Sequence, residues 1–189
     1  MSQLPKRTPA ENVSTAHRTP SEDVPTAQAD TRRRCPNCDI LSRCSALVFD
    51  PRCPSCYCPV VDGYVLVDRL NICFKASTSK KSFDDARDIC SQIGARLIVL
   101  DTDDKNAAVS RYVNASRGEA NYYIGLTDMV TENKFVWGDG HTVGFTKWED
   151  GEPNDFHDQD CVLLTPWTTR WRNAPCWDRY KYVCEKHPW

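Results

Sequence analysis

Three things are scarce in this chain of 189 residues, and each scarcity removes a class of function. It lacks a long apolar run. The longest, Ala95-Arg96-Leu97-Ile98-Val99-Leu100, is strand-sized, well short of the ~20 residues of a membrane-spanning helix. It lacks an excess of one charge, since 24 basic and 26 acidic residues leave a formal −2. A nucleic-acid binder normally shows a clustered basic face, so that partner is not expected. It also lacks a catalytic signature. There is no H-E-x-x-H and no G-x-S-x-G, and His17, His141, His157 and His187 are scattered, with only His157 lying in a candidate binding loop. An enzyme is not expected.

The start, Met1-Ser2-Gln3-Leu4-Pro5-Lys6, has no apolar core like that of a secretory leader. That leaves two expectations, a fragment or another export route. Cysteine, by contrast, is abundant: Cys35, Cys38, Cys44, Cys53, Cys56, Cys58, Cys73, Cys90, Cys161, Cys176 and Cys184. Eleven in so short a chain point to an oxidising compartment and a disulfide framework, hence to a secreted protein.

Three segments are distinguished by composition. Residues 1–34 are rich in Pro, Ser, Thr and charge, and carry an imperfect repeat of eleven residues, Lys6 onward and His17 onward. Such a tail buries no core and reads as an extended linker or stalk. Residues 35–57 hold two C-P-x-C knuckles, Cys35-Pro36-Asn37-Cys38 and Cys53-Pro54-Ser55-Cys56. Four thiolates at such spacing suit a tetrahedral zinc. In an oxidising setting a disulfide-linked neck is expected instead, with an unpaired cysteine joining two chains into a homo-oligomer. Residues 58–189 read as a packed domain.

Within that domain, residues 63–67 and 71–74 read as a hairpin with Cys58 and Cys73 placed to staple its base. Ser82-Phe83-Asp84-Asp85 is a helix start, and Phe83, Ala86, Ile89, Cys90 and Ile93 recur on one helical face before Gly94 stops it. Residues 97–100 follow as a strand. A second helix is expected from Asp101 or Thr102, with Ala107, Ala108, Tyr112 and Val113 along it and a glycosylation sequon at Asn114. Residues 122–126, 134–137, 161–164 and 181–184, with Trp171, read as short strands. Cys184 is placed to tie the end of the domain to the first helix.

Between these strands, residues 138–160 show little periodicity, and irregular stretches of this length are commonly functional. The second half, Trp148-Glu149-Asp150-Gly151-Glu152-Pro153-Asn154-Asp155-Phe156-His157-Asp158-Gln159-Asp160, is dense in carboxylate and amide oxygens, the ligands hard cations prefer.

Taken together these residues resemble the C-type lectin-like domain over positions 58–185. Tyr123-Ile124-Gly125-Leu126 resembles the family's W-I-G-L strand, and Phe135-Val136-Trp137-Gly138 its next strand and turn. The resemblance implies an α+β fold, two helices flanking small antiparallel sheets with a long irregular loop region. It also implies disulfides Cys90–Cys184 and Cys161–Cys176, with Cys58–Cys73 marking the longer form. Glu152-Pro153-Asn154 resembles the mannose-type E-P-N motif, in which Glu and Asn ligate calcium and hydrogen-bond two sugar hydroxyls across a cis bond. The family's third ligand position falls on Gln159, and because the loop is one residue shorter than in many members, Asp158 is the expected substitute.

The family's W-N-D reads here Trp171-Arg172-Asn173. A guanidinium repels a divalent ion. If Arg172 points into the site it pairs with Glu152 and replaces the ion. If it points away, Glu152, Asn154, Asp158 and Asn173 form a weak calcium site. Asp155, Asp158 and Asp160 are candidates for a second calcium. The expected function is glycan binding through Glu152, Asn154 and Asn173. The alternative is a calcium-independent domain that binds a protein ligand, with Trp148, Trp167, Trp171 and Trp177 as candidate anchors.

Overall fold

The computed structural model describes residues 58–186 apart from 118, 119, 155 and 157. The expected tail and the neck cysteines Cys35, Cys38, Cys44, Cys53 and Cys56 lie outside the described residues.

The domain begins with a hairpin. Strands β1 (Val65–Val67) and β2 (Ile72–Ala76) pair antiparallel, Val67 opposite Ile72. Asn71 turns the chain between them at φ 51°, a left-handed conformation that Asn tolerates better than most residues. The Cys58–Cys73 disulfide closes the base.

Helix α1 (Phe83–Gln92) starts where the Ser82 hydroxyl accepts the Asp85 N–H at 3.3 Å, with Asp84 and Asp85 favourably placed in its positive first turn. It buries Phe83, Ala86 and Cys90. Ile93, expected on the same face, lies past the helix end and is exposed. The apolar run that follows is only briefly a strand, β3 (Arg96–Leu97). Ile98 then spans a gap, donating to the Val183 carbonyl and accepting from the Gly125 N–H.

Helix α2 (Asp103–Arg117) is preceded by Thr102, whose hydroxyl accepts the Lys105 N–H. Its buried stripe is Asn106, Val109, Ser110 and Val113, while Ala107 and Ala108 are half-buried.

Five more strands follow: β4 (Tyr122–Thr127), β5 (Val136–Trp137), β6 (Cys161–Thr165), β7 (Arg170–Ala174) and β8 (Lys181–Lys186). The sheet runs β1-β2-β8-β4-β6-β7, with β3 on β8 and β5 on β4. The expectation of small antiparallel sheets needs one correction: β4 and β8 pair parallel, Tyr123 beside Tyr182. The last strand closes antiparallel on β2 and so enters β4's free edge in β4's own direction.

Strand β4 is covered on both faces. Tyr122, Ile124 and Leu126 join the larger core with Ile98, Val162 and Trp171, whereas Tyr123 joins Phe83, Cys90 and Leu163 on the other side. The Tyr123 side chain fills this second cluster. Its hydroxyl donates toward the Pro175 and Asp178 carbonyls at 3.0 and 2.9 Å, and burial pushes its pKa far up. Gly125 between them is sterically required, because a Cβ there would lie 2.7 Å from the Leu97 carbonyl oxygen. Gly125→Ala is expected to destabilise by about 1–3 kcal/mol, read as a lower denaturation midpoint.

Arg96 ties three elements. Its guanidinium donates to Glu185 at 2.8 Å and to Asp139 at 2.5 Å. Burial alone would raise the Asp139 carboxyl, but the His141 N–H, the Arg96 charge and the His141 ring outweigh it and lower the pKa. A lowered folded pKa means stability present above the ordinary Asp value of 3.8 and lost as pH falls through the folded value. Asp139→Asn should therefore flatten the acid limb of stability against pH, measured by denaturant melts. An unchanged acid limb would contradict this.

Candidate functional site

The irregular stretch is organised by Trp171. This side chain is fully buried, and Trp137, Phe145 and Trp148 meet its ring edge-on at 5.8, 5.6 and 5.9 Å. Its indole N–H donates to Asn106 Oδ1 at 2.8 Å, and the Asn106 amide donates to the Thr169 carbonyl at 2.7 Å. The main chain adds two bonds: the Trp171 N–H to the Lys147 carbonyl, and the Glu149 N–H to the Trp171 carbonyl, both 2.7 Å. Residues 147–149 are thereby laid along the outer edge of β7.

From Glu149 the chain turns back. The Glu152 N–H donates to the Glu149 carbonyl at 3.0 Å, and Gly151 between them has φ 86°, where glycine alone is unstrained. The Glu152–Pro153 bond is cis. The Asn154 N–H donates to Asn173 Oδ1 at 3.2 Å, the Asn154 amide donates to Glu152 Oε1 at 2.9 Å, and the Phe156 N–H donates to Asn154 Oδ1 at 3.1 Å. The structure therefore gathers Glu152, Asn154 and Asn173. Asn173 is buried, Glu152 half-buried and Asn154 exposed.

Glu152 is in an unusual position. Its Oε2 is buried and makes no hydrogen bond of sound geometry. Burial pushes the carboxyl above its ordinary value, against the lowering pull of the Asn173 N–H and the Arg172 charge. Arg172 is half-buried with an unpartnered Nε. It forms no ion pair with Glu152 within 4 Å, so its charge acts at longer range.

Of the other expected ligands, Asp158 is exposed, with φ 51°. Asp155 and His157 lie outside the described residues. Asp160 is half-buried, and its carbonyl accepts the Asp128 N–H at 3.1 Å. Asp128 was not singled out by sequence reasoning. It is buried and accepts the Asn133 N–H at 2.9 Å; an acidic residue directly after the apolar-rich run Tyr122-Tyr123-Ile124-Gly125-Leu126-Thr127 was the available signal.

The donor set bears on calcium, which takes about 6–8 oxygens, several of them anionic. Among the described residues no group of three or more His, Cys, Asp or Glu is arranged to hold a metal ion. The gathered donors are one carboxylate and two amide oxygens that each already accept an N–H, with a guanidinium charge beside them. They do not fit a calcium cage. Zinc on Cys35, Cys38, Cys53 and Cys56 falls outside the described residues.

Of the four tryptophans considered as anchors, Trp171 is core and Trp148 packs on Trp171 and Phe135, while Trp167 and Trp177 are exposed at 48% and 63%. Asn114 is exposed on α2.

Residues 79–186, more than half of the chain, match the lectin C-type domain. Two human relatives are each 31% identical over 60% of this chain: "C-type lectin domain family 17, member A" over 114 residues, and "C-type lectin domain family 3 member A" over 115 residues. The matched segment spans 29% and 58% of their respective lengths, under two thirds of either. Among solved structures, the human scavenger receptor C-type lectin carbohydrate-recognition domain superposes with a TM-score of 0.60 at 25% identity, covering 66% of this chain and 95% of that one. The disulfides Cys90–Cys184 and Cys161–Cys176 fit the same fold. The C-type lectin domains are recognition modules rather than enzymes, and this chain belongs to that family.

Proposed function

We propose that the domain is a secreted recognition module that binds a glycan at the edge formed by Glu152, Asn154 and Asn173. The observation that carries this reading is the cross-linked network itself. Asn154 donates to both Asn173 and Glu152, which fixes a carboxylate and an amide side by side where Asn154 is open to solvent. Carboxylate oxygens accept hydroxyl protons and an amide both donates and accepts, so the pair matches two neighbouring hydroxyls of a sugar. Because E-P-N is the mannose-type variant of the family motif, a mannose-bearing glycan is the first ligand to try.

Export is supported by the disulfides Cys58–Cys73, Cys90–Cys184 and Cys161–Cys176, which persist in oxidising compartments. A single site of this kind is weak, and pairing of chains through the neck cysteines would raise its avidity.

Glu152→Ala and Asn154→Ala should each weaken binding to a mannose-bearing glycan by about tenfold, the effect of losing a hydrogen bond to a charged or paired group. Near-UV circular dichroism should be unchanged. Retention of full affinity in both variants, or silence of the intact protein across a glycan array, would sink the reading. A protein ligand is the second reading. Exposed Trp167 and Trp177, with Phe156 exposed at 64% in the loop itself, favour it, since large aromatic side chains dominate protein interfaces.

A further inference from the structure

We propose that Arg172 is the resident cation of this site, standing in for a divalent ion, so that the Glu152–Asn154 pair binds its glycan without added metal. The proposal rests on the glycan reading above and adds the identity of the charge that completes the site.

The argument starts from Glu152. One of its oxygens is held by Asn154, and the other is buried with no hydrogen bond of sound geometry, the Asn173 N–H being its nearest donor in electrostatic effect. A partly desolvated carboxylate is costly without a cation nearby. Other basic groups on the flanking segments are engaged elsewhere. Arg170 donates to the Trp148 carbonyl at 2.9 Å and lies 3.7 Å from Asp150, and Lys147 is paired with Asp103. Glu149, the other charged neighbour acting on Glu152, is an anion. Arg172 is the cation whose field reaches the carboxyl, and its own buried Nε has no partner.

Its position follows from β7. Arg172 sits opposite Leu163 of β6 and immediately before Asn173, whose side chain anchors Asn154. The strand that holds Asn173 therefore also fixes the backbone from which the Arg172 side chain leaves. A guanidinium stays charged at all physiological pH and offers five donors, so it both offsets the carboxylate and donates to hydroxyl oxygens. Glu152 meanwhile accepts the hydroxyl protons. The amide oxygens of Asn154 and Asn173, already accepting N–H groups, then play a positioning part that suits an organic cation better than a metal.

The test uses the full chain, immobilised mannose-bearing neoglycoprotein and two buffers, one with EDTA and one with millimolar calcium. Wild-type affinity should be the same in both. Arg172→Gln should bind about tenfold more weakly in EDTA, as expected for loss of a charged donor, and Arg172→Lys should keep most of the affinity. Loss of wild-type binding in EDTA would overturn the proposal while leaving the glycan reading intact, as would wild-type affinity of Arg172→Gln in EDTA. Absence of wild-type binding in both buffers would end both. Should Arg172→Gln fail to fold by near-UV circular dichroism, the wild-type comparison between buffers still decides.

Discussion

Replacing Cys90 and Cys184 together by Ala should lower the unfolding free energy by about 4–5 kcal/mol, the largest loss expected from removing any one of the three disulfides among the described residues. The reason is chain length. This bridge joins residues 94 apart, whereas Cys58–Cys73 and Cys161–Cys176 each join residues 15 apart. In the chain-entropy account the long loop contributes about 4.7 kcal/mol and each short one about 3. Both sulfurs also lie in the core with Phe83, Ala86, Leu97 and Tyr123, so Ala leaves a small void in addition. Urea melts of the double variant should show a lower midpoint and a steeper dependence on urea, because the uncrosslinked unfolded chain exposes more surface. A loss no larger than that of the Cys58–Cys73 double variant would refute the length argument.

How much of this was legible in the sequence differs by element. Helix α1 was readable from Ser82 and the spacing of Phe83, Ala86 and Cys90, because a local cap and an apolar face are local facts. The buried face of α2 was not. Asn106 and Ser110 are on it, and Asn106 can be buried because the Trp171 indole and the Thr169 carbonyl give its amide partners. Apolar periodicity cannot register such a residue. The direction of β8 beside β4 was likewise invisible, since parallel pairing depends on where the chain returns in space. At the site, Glu152, Asn154 and Asn173 were readable from the motif. What was not readable was that Asp158 is exposed in a left-handed backbone conformation, and that Arg172 forms no ion pair with Glu152 within 4 Å. Both depend on how the loop folds back on β7, which no short motif encodes.

Trp171→Ala should cost about 3–5 kcal/mol, typical of deleting a buried large aromatic side chain. Three edge-on ring contacts go with it, from Trp137, Phe145 and Trp148. Asn106 Oδ1 also loses its indole donor inside the fold, and a buried polar group left unpaired carries about 1–3 kcal/mol of desolvation cost within that total. Trp171→Phe separates the two contributions, keeping a ring while removing the donor, and should cost less than Ala. The functional consequence should exceed the stability loss. Phe145 and Trp148 belong to the irregular stretch and have this ring as their packing surface, and residues 147–149 lead directly into the turn that presents Glu152. Without the indole the segment keeps its two main-chain bonds to β7, the Arg170 bond to the Trp148 carbonyl, the Lys147–Asp103 pair and the Phe135 contact, but loses the ring on which Phe145 and Trp148 pack. Well below the melting temperature, Trp171→Ala should therefore bind mannose-bearing neoglycoprotein at least as poorly as Glu152→Ala, while far-UV circular dichroism remains near wild type. A variant that melts early yet binds normally when cold would show that the site is held by Asn154 and Asn173 alone, and that the tryptophan serves the core without serving the loop.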